Sequence, residues 1–209
     1  MLKSMAHWYG NQLCVIDTET TGLDPNWHEL IQIAIIPLDS NIEPRCDVVP
    51  FYISVIPAFP ERADRKAMKV NQLKFADIGI RGFDREVAKD MLRDWIASLG
   101  LAVSKDGVPK RIMPLGQNYA FDMGFIKSWL GIEMYDEFFQ YHYKDTMIAT
   151  EFLNDRAAMH AETVPFPKTG LTYLCNLLNV TRERSHDALQ DCLATAEVYR
   201  KLCQSGLMV

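Results

Sequence analysis

The sequence lacks the features that mark secreted and membrane-spanning proteins. The chain has 209 residues and five cysteines, none of which form a C-x-x-C pair. The sequence shows no secretory signal and no apolar run of 18 residues. A disulfide framework and a transmembrane helix are therefore not expected. A zinc site is also disfavoured, because zinc prefers tetrahedral nitrogen and sulfur ligands and no histidine or cysteine pair has ligand spacing. These absences predict reduced thiols in a cytoplasmic, soluble protein that binds no membrane.

An excess of positive charge is also missing, since 22 Lys and Arg face 27 Asp and Glu and the net charge is −5. Proteins that coat nucleic acids passively usually carry a basic surface, so this class is disfavoured. An enzyme that recruits divalent cations has no such requirement. With 48% hydrophobic residues, no internal repeat and no clear linker, the chain is predicted to form a single domain over residues 1–209.

Short apolar runs rich in β-branched residues occupy the first quarter of the chain. They predict buried strands over residues 13–17, 30–38 and 48–56. A four-residue spacing then predicts an amphipathic helix that ends at Gly100, with an apolar face of Val87, Met91, Trp95 and Leu99. Strands come first and helices later, which favours an α/β class with a mixed sheet.

The second half of the chain is predicted to be mainly helical after one further short apolar stretch, "RIMPLG". A helix with Phe121, Phe125, Trp129 and Leu130 on one face should end at Gly131, and "TGLTYLCNLLNV" predicts another. The last helix should carry a stripe of Leu189, Cys192, Ala196, Tyr199 and Cys203. The segment "DTMIATEFLN" fits a helix or a strand, and residues 60–83 and 154–168 receive no assignment.

Two carboxylates stand where the first strand should stay buried. In "CVIDTETTGLDP", Asp17 and Glu19 are two residues apart, so on a strand their side chains share one face. Asp17 capping a turn beside a solvated Glu19 is one interpretation. The other is a metal site, because Mg²⁺ and Mn²⁺ prefer oxygen ligands, and enzymes that cleave phosphodiesters often hold two such ions about 3.5–4 Å apart.

Three further residues could complete such a site. Asp122 lies at the start of a helix that follows a predicted strand. The helix dipole ordinarily stabilises the negative charge of an Asp at this position. His186 and Asp191 are five residues apart, about 140° around an ideal helix, so they cannot line one stripe. They can meet only if His186 lies in the loop or first turn ahead of the helix that carries Asp191. A histidine near a helix start is otherwise a surface or capping residue.

Taken together, these residues occur in an order that resembles the DEDDh subfamily of 3′-to-5′ exonucleases, relatives of the proofreading subunit of bacterial DNA polymerase III, RNase T and oligoribonuclease. The matching motifs are "VIDTETTGLDP" with "HELIQIAII", "GQNYAFDMGFI" and "SHDALQDCLATAEVY", within residues 14–25, 116–126 and 185–199. "KDTMIATEFL" and "KTGLTYLCNLLNV" also resemble family segments. The resemblance covers about residues 12–203 and implies an RNase H-like fold, a central mixed sheet flanked by helices.

The resemblance also implies roles for individual residues. The metal ligands would be Asp17, Glu19, Asp122 and Asp191, and the general base would be His186. The residues that face or border the terminal nucleotide would be Thr20, Gly22, Leu23 and Asn118. Residues 60–83 show no close family counterpart in the sequence, which leaves the rim of the substrate site undefined.

The implied reaction is hydrolysis of the 3′-terminal phosphodiester with release of a nucleoside 5′-monophosphate. Two Mg²⁺ or Mn²⁺ ions would activate water and stabilise charge on the leaving 3′ oxygen, while His186 takes the proton. A histidine with an ordinary pKa near 6.5 suits this role at physiological pH. The substrate is expected to be single-stranded DNA, with RNA trimming as the alternative and a non-enzymatic binding module as a more distant one. The sequence does not decide whether the chain acts alone, as a homodimer or with a polymerase-type partner.

Positive charge is concentrated locally even though the whole chain is acidic. Residues 61–89 hold eight Lys or Arg against five Asp or Glu, and Arg182 and Arg184 precede His186. A solvated surface of mixed charge is one interpretation. A phosphate track for a single strand is the other, with Trp27 and Phe59 as candidates for stacking against bases.

Overall fold

The structure, a computed structural model, describes residues 6–7, 10–183 and 185–205. Its centre is a mixed six-stranded sheet in the order β4-β3-β2-β5-β6, with the short β1 pairing with the start of β2. The strands are β1 (Ala6–His7), β2 (Asn11–Thr20), β3 (Leu30–Pro37), β4 (Phe51–Ser54), β5 (Ile112–Gly116) and β6 (Lys144–Asp145).

Helices follow and surround the strands. They are α1 (Arg65–Asn71), α2 (Phe75–Arg81), α3 (Arg85–Ser98), α4 (Tyr119–Leu130), α5 (Ile132–Phe138), α6 (Thr146–Met159), α7 (Leu171–Leu178) and α8 (Ala188–Ser205), with a 3₁₀ turn at Pro60–Arg62. The predicted α/β class with a mixed sheet is confirmed. In the described part of the chain, no helix is both long and apolar enough to cross a membrane. The five cysteines are free thiols.

Alternation along β2 assigns its side chains to two different layers. Leu13 and Val15 pack against α8, whereas Cys14 and Ile16 belong to the core shared with α3, α4 and α5. Because side chains alternate with period two, Asp17 continues the α8 side and Thr18 continues the opposite side. The faces of this one strand therefore decide which helix meets which polar residue.

The register of the sheet leaves the end of β2 partly uncovered. β2 pairs in parallel with β5 only as far as Val15, opposite Leu115, while its antiparallel pairing with β3 continues to Thr20. On the side that faces β5, the backbone groups of the last residues of β2 are therefore available for hydrogen bonds with other groups. This opening lies beside the carboxylates predicted from the sequence.

Two predictions about helix faces were wrong in part. The buried face of α3 consists of Ala88, Leu92 and Ile96, with Leu99 also buried, whereas Val87 is 49% exposed and Met91 and Trp95 only flank the core. The four-residue spacing overlooked Ala88, which is small enough to lie close against the sheet. In α8, Cys203 is exposed, although Cys192 and Ala196 are buried as predicted.

The unassigned segments are largely helical. Residues 60–83 form the 3₁₀ turn, α1 and α2, and residues 154–159 complete α6. Helices α1 and α2 have seven residues each, too few for a periodic pattern to be evident. The Asp64 carboxylate caps α1 by accepting hydrogen bonds from the backbone N–H groups of Lys66 and Ala67. Asp145 caps α6 in the same way, which settles the "DTMIATEFLN" segment as a helix.

Candidate active site

Two elements bring three of the predicted carboxylates to one place. Asp17 and Glu19 project from the same face at the end of β2, and α8 packs against that face. Asp191 lies in the first turn of α8, where its side chain reaches the strand carboxylates. Glu19 and Asp191 are buried and Asp17 is partly buried. Strand alternation and the position of one helix thus suffice to assemble most of the site.

Asp122 reaches the same cavity from the other layer. It lies in the first turn of α4, and one of its oxygens accepts hydrogen bonds from the Thr18 backbone N–H at 2.9 Å and from the Thr18 hydroxyl at 2.6 Å. The N–H is available because β5 has stopped pairing before this point. Thr18 therefore positions Asp122, and its spacing between Asp17 and Glu19 gave no indication of that role.

His186 precedes α8 rather than lying on it. This placement was predicted, because His186 and Asp191 would point about 140° apart if both lay on one helix. Its backbone is left-handed, with φ of 63°, and its N–H donates to an Asp191 oxygen at 3.3 Å. The imidazole is exposed and lines the cavity together with the carboxylates. Ligand atoms of Glu19, His186 and Asp191 all lie within 4.8 Å of one another, close enough to share one metal ion.

The negative charges in this cavity repel one another. Burial, followed by the charges of Asp122, Asp191 and Glu19, raises the pKa of Asp17 well above its ordinary value. Burial and the neighbouring charges of Asp191 and Asp122 raise the pKa of Glu19 to about 8. Burial also raises the pKa of Asp122 to about 7, against the opposing effect of the Thr18 hydrogen bonds. Such a site favours either protons or cations.

Asp191 has a counter-charge of its own. The Arg182 guanidinium donates to both of its carboxylate oxygens at 2.5 Å, and a third donor bonds the Thr172 hydroxyl at 3.0 Å. In the sequence, Arg182 stands out only as part of a basic cluster. Arg184, the other member, lies outside the described residues.

The predicted substrate residues line one cavity of about 520 Å³ beside the carboxylates: Thr20, Gly22, Leu23 and Asn118. The Thr20 hydroxyl donates to the Gly22 carbonyl at 2.6 Å, which fixes the turn after β2. Leu23 is 79% exposed and projects at the rim. Gly22 has no room for a side chain, because a Cβ there would lie 2.1 Å from the His28 ring.

The opposite wall of this cavity comes from the segment that the sequence left undefined. Asp64, Lys66, Ala67, Val70 and Asn71, on and just before α1, all line it. The buried Asn71 side chain donates to the Thr20 carbonyl at 3.1 Å and thereby joins α1 to the end of β2. Residues 60–83 therefore contribute to the rim of this cavity.

A second cavity, of about 600 Å³, adjoins the first. The two share Asp17, Gln117, His186 and Asp191, and the second continues past Lys168 and Tyr173 towards α7. His186 and the carboxylates consequently lie between two open spaces. Gln117 was not predicted, although it stands inside the second motif.

Asp145 is a further residue that sequence reasoning missed. Its buried carboxylate accepts hydrogen bonds from the backbone N–H groups of Asn118 at 3.1 Å and Tyr119 at 2.7 Å, besides capping α6. It thus fixes the start of α4, the helix that carries Asp122. An Asp before a helical segment signals an N-cap, but no sequence signal indicates its contact with α4.

Comparisons with known proteins add independent findings. The RNase T family model, described as "Exonuclease", matches residues 14–104, a range that includes residues 60–83. A comparison with curated protein sequences finds no match.

Solved exonuclease structures share the fold. Exonuclease I of E. coli in complex with a dA16 oligonucleotide superposes with a TM-score of 0.68 at 18% identity over 93% of this chain. A moderately thermophilic exonuclease I from Methylocaldum szegediense gives 0.69 at 20% over 94%. Cell-death related nuclease 4 (CRN-4) gives 0.70 at 16% over 95%. The chain spans 41% of the length of both exonuclease I structures and 65% of CRN-4.

The fold and the site define an α/β domain built around a cluster of acidic side chains. The model match over residues 14–104 is to the RNase T exonuclease family, and the fold is shared with DnaQ-like exonuclease structures. Exonucleases of this family are hydrolases that typically depend on metal ions. The fold implied by the sequence motifs is thereby confirmed, and the family match agrees with the resemblance. The roles of the individual site residues stay predictions.

Proposed function

We propose that this chain is a metal-dependent 3′-to-5′ exonuclease that releases nucleoside 5′-monophosphates from single-stranded DNA. The observation that carries the proposal is the meeting of Asp17, Glu19, Asp122 and Asp191, from one strand and two helices, with His186 beside one cavity. Buried carboxylates that repel one another destabilise the fold, so their grouping is best explained by a ligand of opposite charge.

The donor set suits Mg²⁺ or Mn²⁺. Both ions prefer oxygen ligands, and Asp17, Glu19, Asp122 and Asp191 would offer enough carboxylate oxygens to hold two of them. Bound ions of this kind supply charge that activates water and stabilises the leaving 3′ oxygen. The raised pKa values of Glu19 and Asp122 support the fit, since a cation would replace the protons that these groups otherwise retain.

His186 is the residue best placed to accept a proton from the attacking water. Its ring is exposed to the cavity, and its backbone N–H is anchored to Asp191 rather than its side chain, which leaves the imidazole available. Its left-handed backbone turns the side chain ahead of α8 and towards the carboxylates. A base at the border of two cavities can serve water next to a bound strand.

The first cavity would hold the 3′-terminal nucleotide. A volume of about 520 Å³ lies within the ordinary range for small-ligand sites. Leu23 and Phe121 offer apolar surface for the sugar or base, and Asn118 adds a polar group at the start of α4. A pocket closed around a terminal hydroxyl would act only at chain ends, which is the basis for exonuclease rather than endonuclease action.

Single-stranded DNA is supported by a likeness to structures of exonuclease I in complex with dA16 and dT13. RNA is the second candidate, because discrimination between the two substrates depends on contacts to the 2′ hydroxyl. Lys66 at the rim could contact the phosphate of either substrate.

The test is digestion of matched 5′-labelled DNA and RNA oligonucleotides, single- and double-stranded, with Mg²⁺ or Mn²⁺. We expect a ladder that shortens stepwise from the 3′ end, faster for single-stranded DNA, with loss of activity in EDTA and recovery on adding metal. A 3′-phosphate end should resist cleavage. Activity in chelator, or long fragments released first from a 3′-labelled strand, would contradict the proposal.

A further inference from the structure

Three side chains form a stack beside the first cavity. The Arg62 guanidinium carbon lies 3.8 Å from the centre of the Phe59 ring and 4.5 Å from the centre of the Trp27 ring. Both rings remain exposed, Trp27 by 53% and Phe59 by 44%. Contacts at these distances are cation–π interactions, which are strongest for arginine on tryptophan.

Hydrogen bonds hold this Arg62 stack in place. The Glu29 carboxylate accepts from the backbone N–H groups of Ala58 at 2.9 Å and Phe59 at 2.8 Å. Arg62 donates its own N–H to the Phe59 carbonyl at 3.0 Å, within the 3₁₀ turn. These bonds fix the backbone that carries Phe59 and Arg62, and the guanidinium lies against two rings. It therefore has less side-chain freedom to lose on binding a ligand than an arginine on an open surface.

The stack lies next to the proposed substrate cavity. Asp64, two residues after Arg62, lines that cavity, and its N–H donates to the Thr21 carbonyl at 2.7 Å. Two residues span at most about 7 Å. Leu23, at the rim of the same cavity, precedes Trp27 by four residues. A strand leaving the cavity on this side would pass the stack.

Arg62 has no ion-pair partner among the described residues. Across residues 10–183 and 185–205, no carboxylate lies within ion-pair distance of its guanidinium. The two rings lie against the guanidinium, and such contacts leave its N–H groups able to bond a further ligand. Arginine binds phosphate in this manner, through two parallel N–H donors along one edge.

We propose that the Arg62 stack binds a phosphodiester of the substrate strand, upstream of the 3′-terminal nucleotide. This inference rests on the proposed exonuclease function and extends it from the terminal nucleotide to the strand behind it. Trp27 and Phe59 hold the guanidinium through their ring faces, a role that differs from the base stacking suggested by their exposure alone.

The test measures binding by fluorescence anisotropy in a His186→Ala background, which should slow cleavage while leaving metal and substrate binding nearly intact. Labelled oligothymidylates, a dinucleotide and an octanucleotide, are titrated in Mg²⁺ with and without Arg62→Ala. We expect Arg62→Ala to weaken the octanucleotide on the order of 10-fold, the worth of one charged hydrogen-bonding pair, and to leave the dinucleotide nearly unchanged. The plot of the logarithm of the binding constant against the logarithm of the salt concentration has a negative slope. The magnitude of this slope should decrease by about 0.7, as for one lost phosphate contact on a single strand.

Matched variants make the outcome specific. Arg62→Lys keeps the charge but not the planar fork, so it should keep the salt slope and lose part of the affinity. Arg93→Ala, which removes an exposed arginine paired with Asp90 on α3, should change neither. An unchanged octanucleotide affinity and salt slope, or equal losses for both lengths, would overturn the proposal. If the His186→Ala background bound neither oligonucleotide, the proposed function would fail together with this inference.

Discussion

Arg182 bonds both carboxylate oxygens of Asp191, through Nε and a terminal nitrogen, each at 2.5 Å. Both side chains are nearly inaccessible, 9% and 7% exposed. An arginine thus occupies the oxygens of a residue expected to bind metal, and its positive charge offsets part of the repulsion among Asp17, Glu19 and Asp191. Arginine and a divalent cation compete for the same atoms.

Replacing Arg182 by alanine should expose this competition. Without the guanidinium, Asp191 is left unpaired beside other carboxylates, and breaking a buried pair costs about 3–5 kcal/mol. The melting temperature in EDTA should fall by about 5–15 °C. Mn²⁺ should then stabilise the variant more than the wild type, because it need not displace the Arg182 guanidinium from Asp191.

Thermal unfolding with and without Mn²⁺ checks this expectation. Arg200→Ala is the control, since Arg200 pairs with Glu197 on the outer part of α8 and should affect neither measurement. An Mn²⁺ effect no larger in Arg182→Ala than in the wild type would mean that Arg182 positions Asp191 without competing with the cation.

Asp17→Asn should separate metal binding from folding. The amide is a poor ligand for hard cations, so turnover and Mn²⁺ affinity by calorimetry should fall by orders of magnitude. Stability in EDTA should not fall, because the substitution removes one of the repelling charges. The exposed Asp47→Asn change provides the control, and wild-type cleavage by folded Asp17→Asn would remove Asp17 from the ligand set.

His186→Ala should lower kcat by about 10²–10⁴-fold, the usual contribution of a general base, and leave substrate and metal binding nearly intact. His160→Ala offers a matched change of an exposed histidine at the end of α6. Single-turnover cleavage and calorimetry distinguish the two effects. A folded His186→Ala protein with a near-normal kcat would show that His186 is a surface or capping residue.

The stability of the metal-free protein should fall as pH rises. The pKa of Glu19 is about 8 in the folded state, against an ordinary value near 4.5, and that of Asp122 is about 7. Between the unfolded and folded values the native state binds more protons than the unfolded state, so the free energy of unfolding decreases with pH across about 4–8.

Melting temperatures in EDTA at a series of pH values test this slope. Glu19→Gln should flatten it at the alkaline end, and Mg²⁺ or Mn²⁺ should stabilise the wild type more at pH 8 than at pH 6, because the cation replaces protons already lost. Constant or rising stability across this range would contradict the raised pKa values.

Local patterns predicted the first two long strands and most of the long helices, because burial imposes its period on consecutive residues. They failed at α3, where the small Ala88 lies in the buried face, and at α1 and α2, which are too short to show a period. The capping contacts of Asp64 are local, yet the same Asp could equally have formed a turn.

The sequence by itself determined the resemblance to a family of exonucleases and the candidate ligands, because three ordered motifs carry the carboxylates at fixed spacings. Only the tertiary structure decided which groups meet them. Arg182 reaches Asp191, Thr18 holds Asp122, Asp145 fixes the start of α4, and α1 closes the cavity. These contacts join residues from separate elements, and their geometry follows from where β5 stops pairing with β2 and how α8 lies on the sheet, which spacing along the chain does not encode.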